Sequence, residues 1–354
     1  MSFPVLDLPG NPKEAGLVHG RVLSREIHEN LKLYRERWEE ELGLSWEEGL
    51  RRARVHLARL EVYSPQHCLS VLGVAEGASI TLEEAAFLDG RYELFYAEFA
   101  KRDFRGECSS LAILPERSCE GRLLLAQNWD WFPGVRGAWL RFSSYGISIL
   151  AFTEAGIPGG KIGINSRGLA LCVSGLVSPF DRWDGEGLPF HARASAILSS
   201  ATFEEALEWA NFQPSPCSVH FLLGQGDKVL GVEISPNGNF ILQPRDGVLV
   251  HTNHFLAADF PVPFGTDWRF SSARQKRLEE LFAQYRQLDL PAIWAILSDH
   301  FGFPESICRH FSHQKIEPQY VTVLSCILDP QAGRIHYKPG PPCETSLRYA
   351  RQLG

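Results

Sequence analysis

Two hydrophobic textures divide the chain. Up to about residue 104, apolar positions recur at helical spacing, as with Leu17, Val18, Val22, Ile27, Leu31 and Leu33 within 13–44. Ser45-Trp-Glu-Glu48 and Thr81-Leu-Glu-Glu84 read as capping boxes, each opening a further helix, because the cap hydroxyl and the returning Glu satisfy each other's orphan amides. After Gly106 the pattern changes to short β-rich runs between turn residues. Segments 109–115, 122–128, 147–153, 161–165 and 168–174 predict strands, with Ser166-Arg167 as a tight turn between the last two. A third box, Thr202-Phe-Glu-Glu205, starts a helix running to about Asn211. Strands resume at 218–223, 229–234, 239–243 and 247–251, separated by Gly224-Gln-Gly-Asp227 and Pro236-Asn-Gly238. Segments 270–286 and 291–298 are helical, the second with Pro291 in its first turn, and a hairpin of 321–328 and 333–338 follows. Helices, strands, helices and strands in that order predict an α+β architecture, two packed sheets with helices outside. Neither repeats nor a low-complexity linker interrupt it, and the one change of texture lies near residue 105.

Composition narrows the class of partner. A formal net charge of −7 without a Lys/Arg cluster argues against nucleic acid and anionic membrane. The bunched Arg51, Arg52 and Arg54 lie in a helical stretch and read as a solvated face. The first ten residues carry neither a basic nor an apolar signal region, and no stretch approaches a membrane span, so a cytoplasmic protein is expected. Eight cysteines are too sparse for a disulfide scaffold, and none forms a C-x-x-C pair, so they read as reduced, mostly buried small hydrophobes with no metal among them. His251-x-x-His254, lacking a third ligand nearby, is read as structural.

Cys108 escapes that default. It heads the run Cys108-Ser-Ser-Leu-Ala-Ile-Leu, and Asn128-Trp129-Asp130 returns one hairpin later. A thiol at the head of a strand fits an N-terminal nucleophile. Its α-amine, freed by self-cleavage, would have a pKa near ~7.7–8.0 and would serve as base. Acyl transfer also needs an oxyanion donor and an orienting group. Asp130 suits holding the amine or polarising the scissile peptide, and Asn253, just after the 247–251 strand, suits the oxyanion. Taken singly, a buried Asp or a strand-end Asn is ordinary structure.

Taken together, these motifs resemble the acyl-coenzyme A:6-aminopenicillanic acid acyltransferase family. The similarity runs through Gly106-Glu107-Cys108-Ser109-Ser110, Gln127-Asn128-Trp129-Asp130-Trp131, Phe152-Thr-Glu-Ala-Gly-Ile157, Gly163-Ile-Asn-Ser-Arg-Gly168-Leu and Val250-His-Thr-Asn-His254. Gly16-Leu-Val-His19-Gly20, Gly73-Val-Ala-Glu-Gly77 and Arg91-Tyr-Glu-Leu94 resemble its propeptide region, so the likeness spans nearly the whole chain in order. The resemblance implies a four-layer αββα Ntn-hydrolase sandwich. It implies self-cleavage between Glu107 and Cys108, with a helical 1–107 segment and a 108–354 segment that stay associated as one domain. It implies amide hydrolysis or acyl exchange through a thioester, with Cys108 as nucleophile, Asp130 near its amine and Asn253 at the oxyanion. No cofactor is implied, although a coenzyme A thioester would serve as co-substrate in transfer. Trp129, Trp131 and Ser174 are candidate substrate contacts.

Three positions depart from the family pattern. Glu107 replaces Gly before the Cys, Ser174 stands where an Asn is expected, and the family's Ser-Arg pair falls at about Pro318-Gln319, leaving its arginine missing. Arg309 lies close in sequence and is given no role. Two alternatives stay open: an unprocessed, non-catalytic relative that binds a small metabolite, and an unprocessed Cys–His hydrolase using His251 or His254. The acyl group, the amine and self-association are left open, and hydrolysis is favoured over transfer because transfer needs a second binding site.

Overall fold

A computed structural model describes residues 3–101, 108–260, 269–311 and 320–351. The amino-terminal third folds into β1 (Val5–Asp7) and helices α1 (Pro12–Val22), α2 (Ser24–Glu40), α3 (Trp46–Tyr63), α4 (Pro65–Ala78), α5 (Leu82–Asp89) and α6 (Arg91–Phe99). This corrects the wholly helical reading of that third, since β1 pairs in parallel with a strand far along the chain. The expected 13–44 helix breaks at Leu23 into α1 and α2. Thr81 forms a complete capping box, but Ser45 forms half of one: its hydroxyl accepts from the Glu48 N–H, while the Glu48 carboxylate turns to Arg51 and Arg52.

The two Gly-x-x-x-Gly motifs explain how α1 meets α4. A Cβ at Gly16 would lie 2.1 Å from the Ser70 carbonyl oxygen, and one at Gly73 would lie 2.2 Å from that of Lys13. Only glycine lets the two backbones touch there.

The remaining chain supplies β2 (Ser109–Ile113), β3 (Leu124–Trp131), β4 (Gly137–Ser144), β5 (Ile147–Glu154), β6 (Ile162–Asn165), β7 (Leu169–Gly175), α7 (Phe190–Leu198) and α8 (Phe203–Ala210). There follow β8 (Val219–Gln225), β9 (Lys228–Ser235), β10 (Gly238–Leu242), β11 (Val248–His251), α9 (Arg269–Phe282), α10 (Leu290–Leu297), β12 (Val321–Asp329), β13 (Arg334–Pro339) and β14 (Arg348–Arg351). The sequence pattern missed β4, α7 and β14. Among the described residues one sheet has eight strands, ordered β1-β4-β5-β6-β7-β8-β9-β10, and the other six, ordered β11-β2-β3-β12-β13-β14.

The sheets face each other through β2, β3 and β7, and the Gln127 side chain crosses between them, donating to the Val173 carbonyl and accepting from its N–H. Helices α7 and α8 cover the larger sheet; α9 and α10 cover the smaller, over a second apolar core that includes Leu111, Leu124, Leu278 and Ile296. The result is a four-layer αββα sandwich. The amino-terminal helices close one end, held by buried polar links: Asn30 donates to the Arg136 and Ala155 carbonyls, and Tyr92 to that of Ser218. Among the described residues no helix is long and apolar enough to cross a membrane.

Candidate active site

Strand register assembles the site. β3 pairs antiparallel with β2, setting Ser109 opposite Asn128, while β11 lies on the other side, setting His251 opposite Ser110. Cys108 therefore enters the sheet between Trp129 and the exit of β11, where Asn253 follows two residues on. Cys108 is 2% exposed, and Asp130 and Asn253 are wholly buried. Glu107, the other half of the expected cleavage site, and Pro318-Gln319 lie outside the described residues.

Alternation along the strands then separates the expected trio into two sides. On the face toward the larger sheet, Cys108 lines a cavity with Trp129, Trp131, Lys161, Ser174, Gly175, Tyr92 and others. All three candidate substrate contacts are thus brought to the thiol. The Ser174 hydroxyl is 3.2 Å from that of Ser110. The cavity is small, about 20 Å³, room for about one water. A larger cavity of about 440 Å³, lined by residues including His19, His67, Ser195 and Trp209, contains none of the expected trio, and chemistry at the thiol carries more weight than volume.

On the opposite face, Ser109, Asn128 and Asp130 point toward the α9–α10 layer. Asn128 donates to the Leu297 and Ile307 carbonyls at 2.8 Å. Asp130 accepts from the Thr322 hydroxyl at 2.7 Å, and Arg309 Nε lies 3.7 Å from its other oxygen. Burial pushes its carboxyl up to about 7, against the opposing pull of Arg309, Thr322 and Arg274. Asp130 is therefore aimed at the backbone side of the strand end and away from the thiol's cavity.

Arg274 of α9 joins the two halves. Buried at 2% exposure, it donates to the Cys108 carbonyl (2.7 Å), the Ser109 hydroxyl (3.1 Å) and Asn253 Oδ1 (3.1 Å). A guanidinium is donor-only, so the atom of Asn253 facing it must be oxygen, and the NH2 is turned toward Gly175, whose carbonyl accepts at 2.9 Å. Burial lowers Arg274 to about 10, which leaves it charged at neutral pH.

The cavity wall holds a second charge cluster. Glu154 is buried against Arg91, Lys161 and Tyr34, with Arg91 Nε at 2.9 Å. The Lys161 ammonium sits 3.6 Å from the Trp129 ring centre, and the Arg91 guanidinium 4.6 Å from that of Trp131. Burial, with help from Arg91, lowers Lys161 to about 7, while Glu154 and Cys108 oppose that shift. Sequence reasoning missed Arg274, Lys161 and Glu154, and gave no role to Arg309, which the fold sets beside Asp130.

The Cys–His alternative loses ground. His251 Nε2 lies 2.9 Å from Glu233 Oε1, Nδ1 lies 2.7 Å from the Thr252 carbonyl, and its ring stacks on His220. His254 Nδ1 meets the Ser271 hydroxyl at 2.8 Å. The absence of C-x-x-C spacing does not keep ligand-type side chains apart. His300, Cys308, His310 and Cys343 converge from separate segments, which spacing alone cannot reveal.

The sequence profile of the acyl-coenzyme A:6-aminopenicillanic acid acyl-transferase family matches residues 116–342. The chain belongs to this family. Asp130 and Asn253 lie inside the acyl-transferase match, and Cys108 just ahead of it. A mutant of the conjugated bile acid hydrolase from Clostridium perfringens superposes with a TM-score of 0.50 at 13% identity, covering 69% of this chain and 92% of that one. Penicillin V acylase from Agrobacterium tumefaciens gives 0.50 at 14%, covering 69% and 86%. At such identities the likeness is one of fold, and that fold is the Ntn-hydrolase sandwich. Family and fold together make this an enzyme of the Ntn type.

Proposed function

We propose that this chain is a self-processing cysteine amidohydrolase acting on a small amide through a thioester on Cys108. The observation that carries the reading is Arg274, whose guanidinium bridges the Cys108 carbonyl and Asn253 Oδ1 and so links the nucleophile's backbone to the amide whose NH2 meets Gly175 of the cavity wall. Cleavage of the Glu107–Cys108 peptide frees an α-amine, with Asp130, backed by Arg309 and Thr322, on the strand-end side to hold it.

In turnover the amine takes the thiol proton, and the sulfur attacks the acyl carbonyl. The developing oxyanion accepts from the Asn253 NH2. Collapse breaks the C–N bond, the ammonium returns its proton to the departing amine, and a thioester remains. Water, deprotonated by the same amine, releases the carboxylic acid and restores the thiol. Lys161 lines the same cavity as the thiol, its ammonium over the Trp129 ring. Trp129, Trp131 and Tyr92 suit an apolar acyl or aryl group. With a coenzyme A thioester as acyl donor, the same steps would run as transfer to an amine.

Intact mass under denaturing conditions tests the reading. Wild type should give fragments 1–107 and 108–354, and Cys108→Ala one uncut chain. A wild-type chain that stays whole, or a Cys108→Ala chain that still splits, overturns self-processing.

A further inference from the structure

The cluster of His300, Cys308, His310 and Cys343 lies outside the proposed reaction and rests on its own geometry. The loop after α10 supplies His300, the segment leading to β12 supplies Cys308 and His310, and the turn between β13 and β14 supplies Cys343. All four donor atoms lie within 4.8 Å of one another. We propose that they form a closed, four-ligand structural site for Zn²⁺.

Five of the six edges of the cluster have the proportions of a tetrahedron, and the sixth, Cys308 to His300, lies within 4.8 Å. The two sulfurs are 3.7 Å apart; sulfur-to-Nε2 distances are 3.4 Å (Cys308–His310), 3.4 Å (Cys343–His300) and 3.2 Å (Cys343–His310); and the two Nε2 atoms are 2.9 Å apart. Zinc with ordinary Zn–S and Zn–N bonds sets these edges at roughly 3.8, 3.6 and 3.3 Å. These five edges keep that order, and small movements of the four side chains would seat the ion.

Hydrogen bonding does not account for the cluster. His310 Nδ1 is 2.9 Å from Glu344 Oε1. In the neutral ring the hydrogen belongs on Nδ1, facing the carboxylate, and Nε2 is left as a lone pair. Two thiols and the His300 ring then offer at most three hydrogens to five close contacts. A metal uses all four donors at once, and the carboxylate behind His310 is the partner that a zinc-bound imidazole ordinarily has. Two thiolates with two imidazoles select zinc over magnesium or calcium, and four protein ligands leave no open position for catalysis. Binding releases the two thiol protons to solvent. A Cys308–Cys343 disulfide would have to close the sulfurs to about 2.05 Å and would leave both imidazoles unexplained.

The site would also anchor the proposed catalytic centre. Arg309 stands between two ligands; its backbone N–H donates to Thr322, and its guanidinium faces Asp130. That consequence depends on the proposed reaction, whereas the site itself does not.

The test is elemental analysis of the full-length protein, purified without chelator or a histidine tag, beside Cys343→Ser and Cys119→Ser. Cys343 and Cys119 are both exposed, so both variants should fold. The expected result is about one zinc per chain in wild type and in Cys119→Ser, and almost none in Cys343→Ser. Cobalt replacement should give the d–d bands of a tetrahedral ion with sulfur-to-metal charge transfer in wild type and lose the latter's intensity in Cys343→Ser. Zinc-free wild type after preparation in excess zinc, a wild-type mass two hydrogens light at these cysteines, or full zinc retention in Cys343→Ser would each overturn the proposal.

Discussion

Replacing Asp130 by asparagine should make the protein more stable and less able to process itself. Asp130 is wholly buried, and its carboxyl titrates near 7 in the fold against an ordinary 3.8. Between about pH 4 and 7 the folded chain therefore keeps a proton that the unfolded chain has lost, so stability falls as pH rises through that window and levels off above it. The gap caps the cost of ionisation at about 4 kcal/mol. The Asp130→Asn side chain would remove that cost and keep the Thr322 hydrogen bond to its carbonyl oxygen. Its NH2 would then face Arg309 Nε, donor against donor, at a cost of about 1–2 kcal/mol. The net expectation is a gain of about 1–3 kcal/mol at pH 8 and little or no gain at pH 5. Zinc with two thiolates is neutral overall, so occupancy of the neighbouring cluster leaves the sign unchanged. Urea midpoints across pH 4–9, in a Cys108→Ala background so that every chain is uncut, measure the stability term. Intact mass of Asp130→Asn with Cys108 present measures processing, which should be strongly slowed. A variant less stable than its parent at pH 8, or one with an unchanged slope between pH 4 and 7, would refute the electrostatic argument. Processing at the wild-type rate would remove Asp130 from the site.

Asn253→Ala should cost about 10²- to 10³-fold in turnover of small amides once the donor to the oxyanion is gone; full turnover would exclude that role. Lys161→Met should flatten the opposite limb of the stability profile. The folded chain releases the Lys161 proton near pH 7 and the unfolded chain near 10.5, so wild-type stability rises with pH between those values, and denaturant midpoints should show that rise vanish in the variant. Glu154 keeps its Arg91 partner in that variant, so the fold should survive.

Local signals wrote the elements that were legible. Complete capping boxes at Thr81 and Thr202 locate α5 and α8, and glycine- and proline-rich turns separate most strands. The missed elements lack such marks. α7 starts from Pro189 with no side-chain cap. β4 opens with four residues buried on both faces, so it shows no alternation there. β1 is three residues long and owes its strand conformation to pairing with β4. That Cys108 and the tryptophans share a cavity follows from strand order and pleat, and register sets Asn253 two residues past the end of β11.

Arg274 was legible in principle. The buried residues of α9 are Ser271, Arg274, Gln275, Leu278 and Phe282, a single stripe in which a guanidinium occupies a core position. An arginine placed there is costly unless acceptors await it, and three of them do. Lys161 and Arg309 carried no comparable mark, since the thiol's cavity at Lys161 and the Asp130 carboxylate at Arg309 come from distant parts of the chain. What register could not convey is sidedness. Asp130 and Trp129 are neighbours in sequence, yet one pleat sends the tryptophan to the thiol and the carboxylate to the arginines behind the sheet. Chemistry at Cys108 would thus have its acyl pocket on one face of the strand and its amine-holding charges on the other, with the strand end, freed by cleavage, as the group that reaches both.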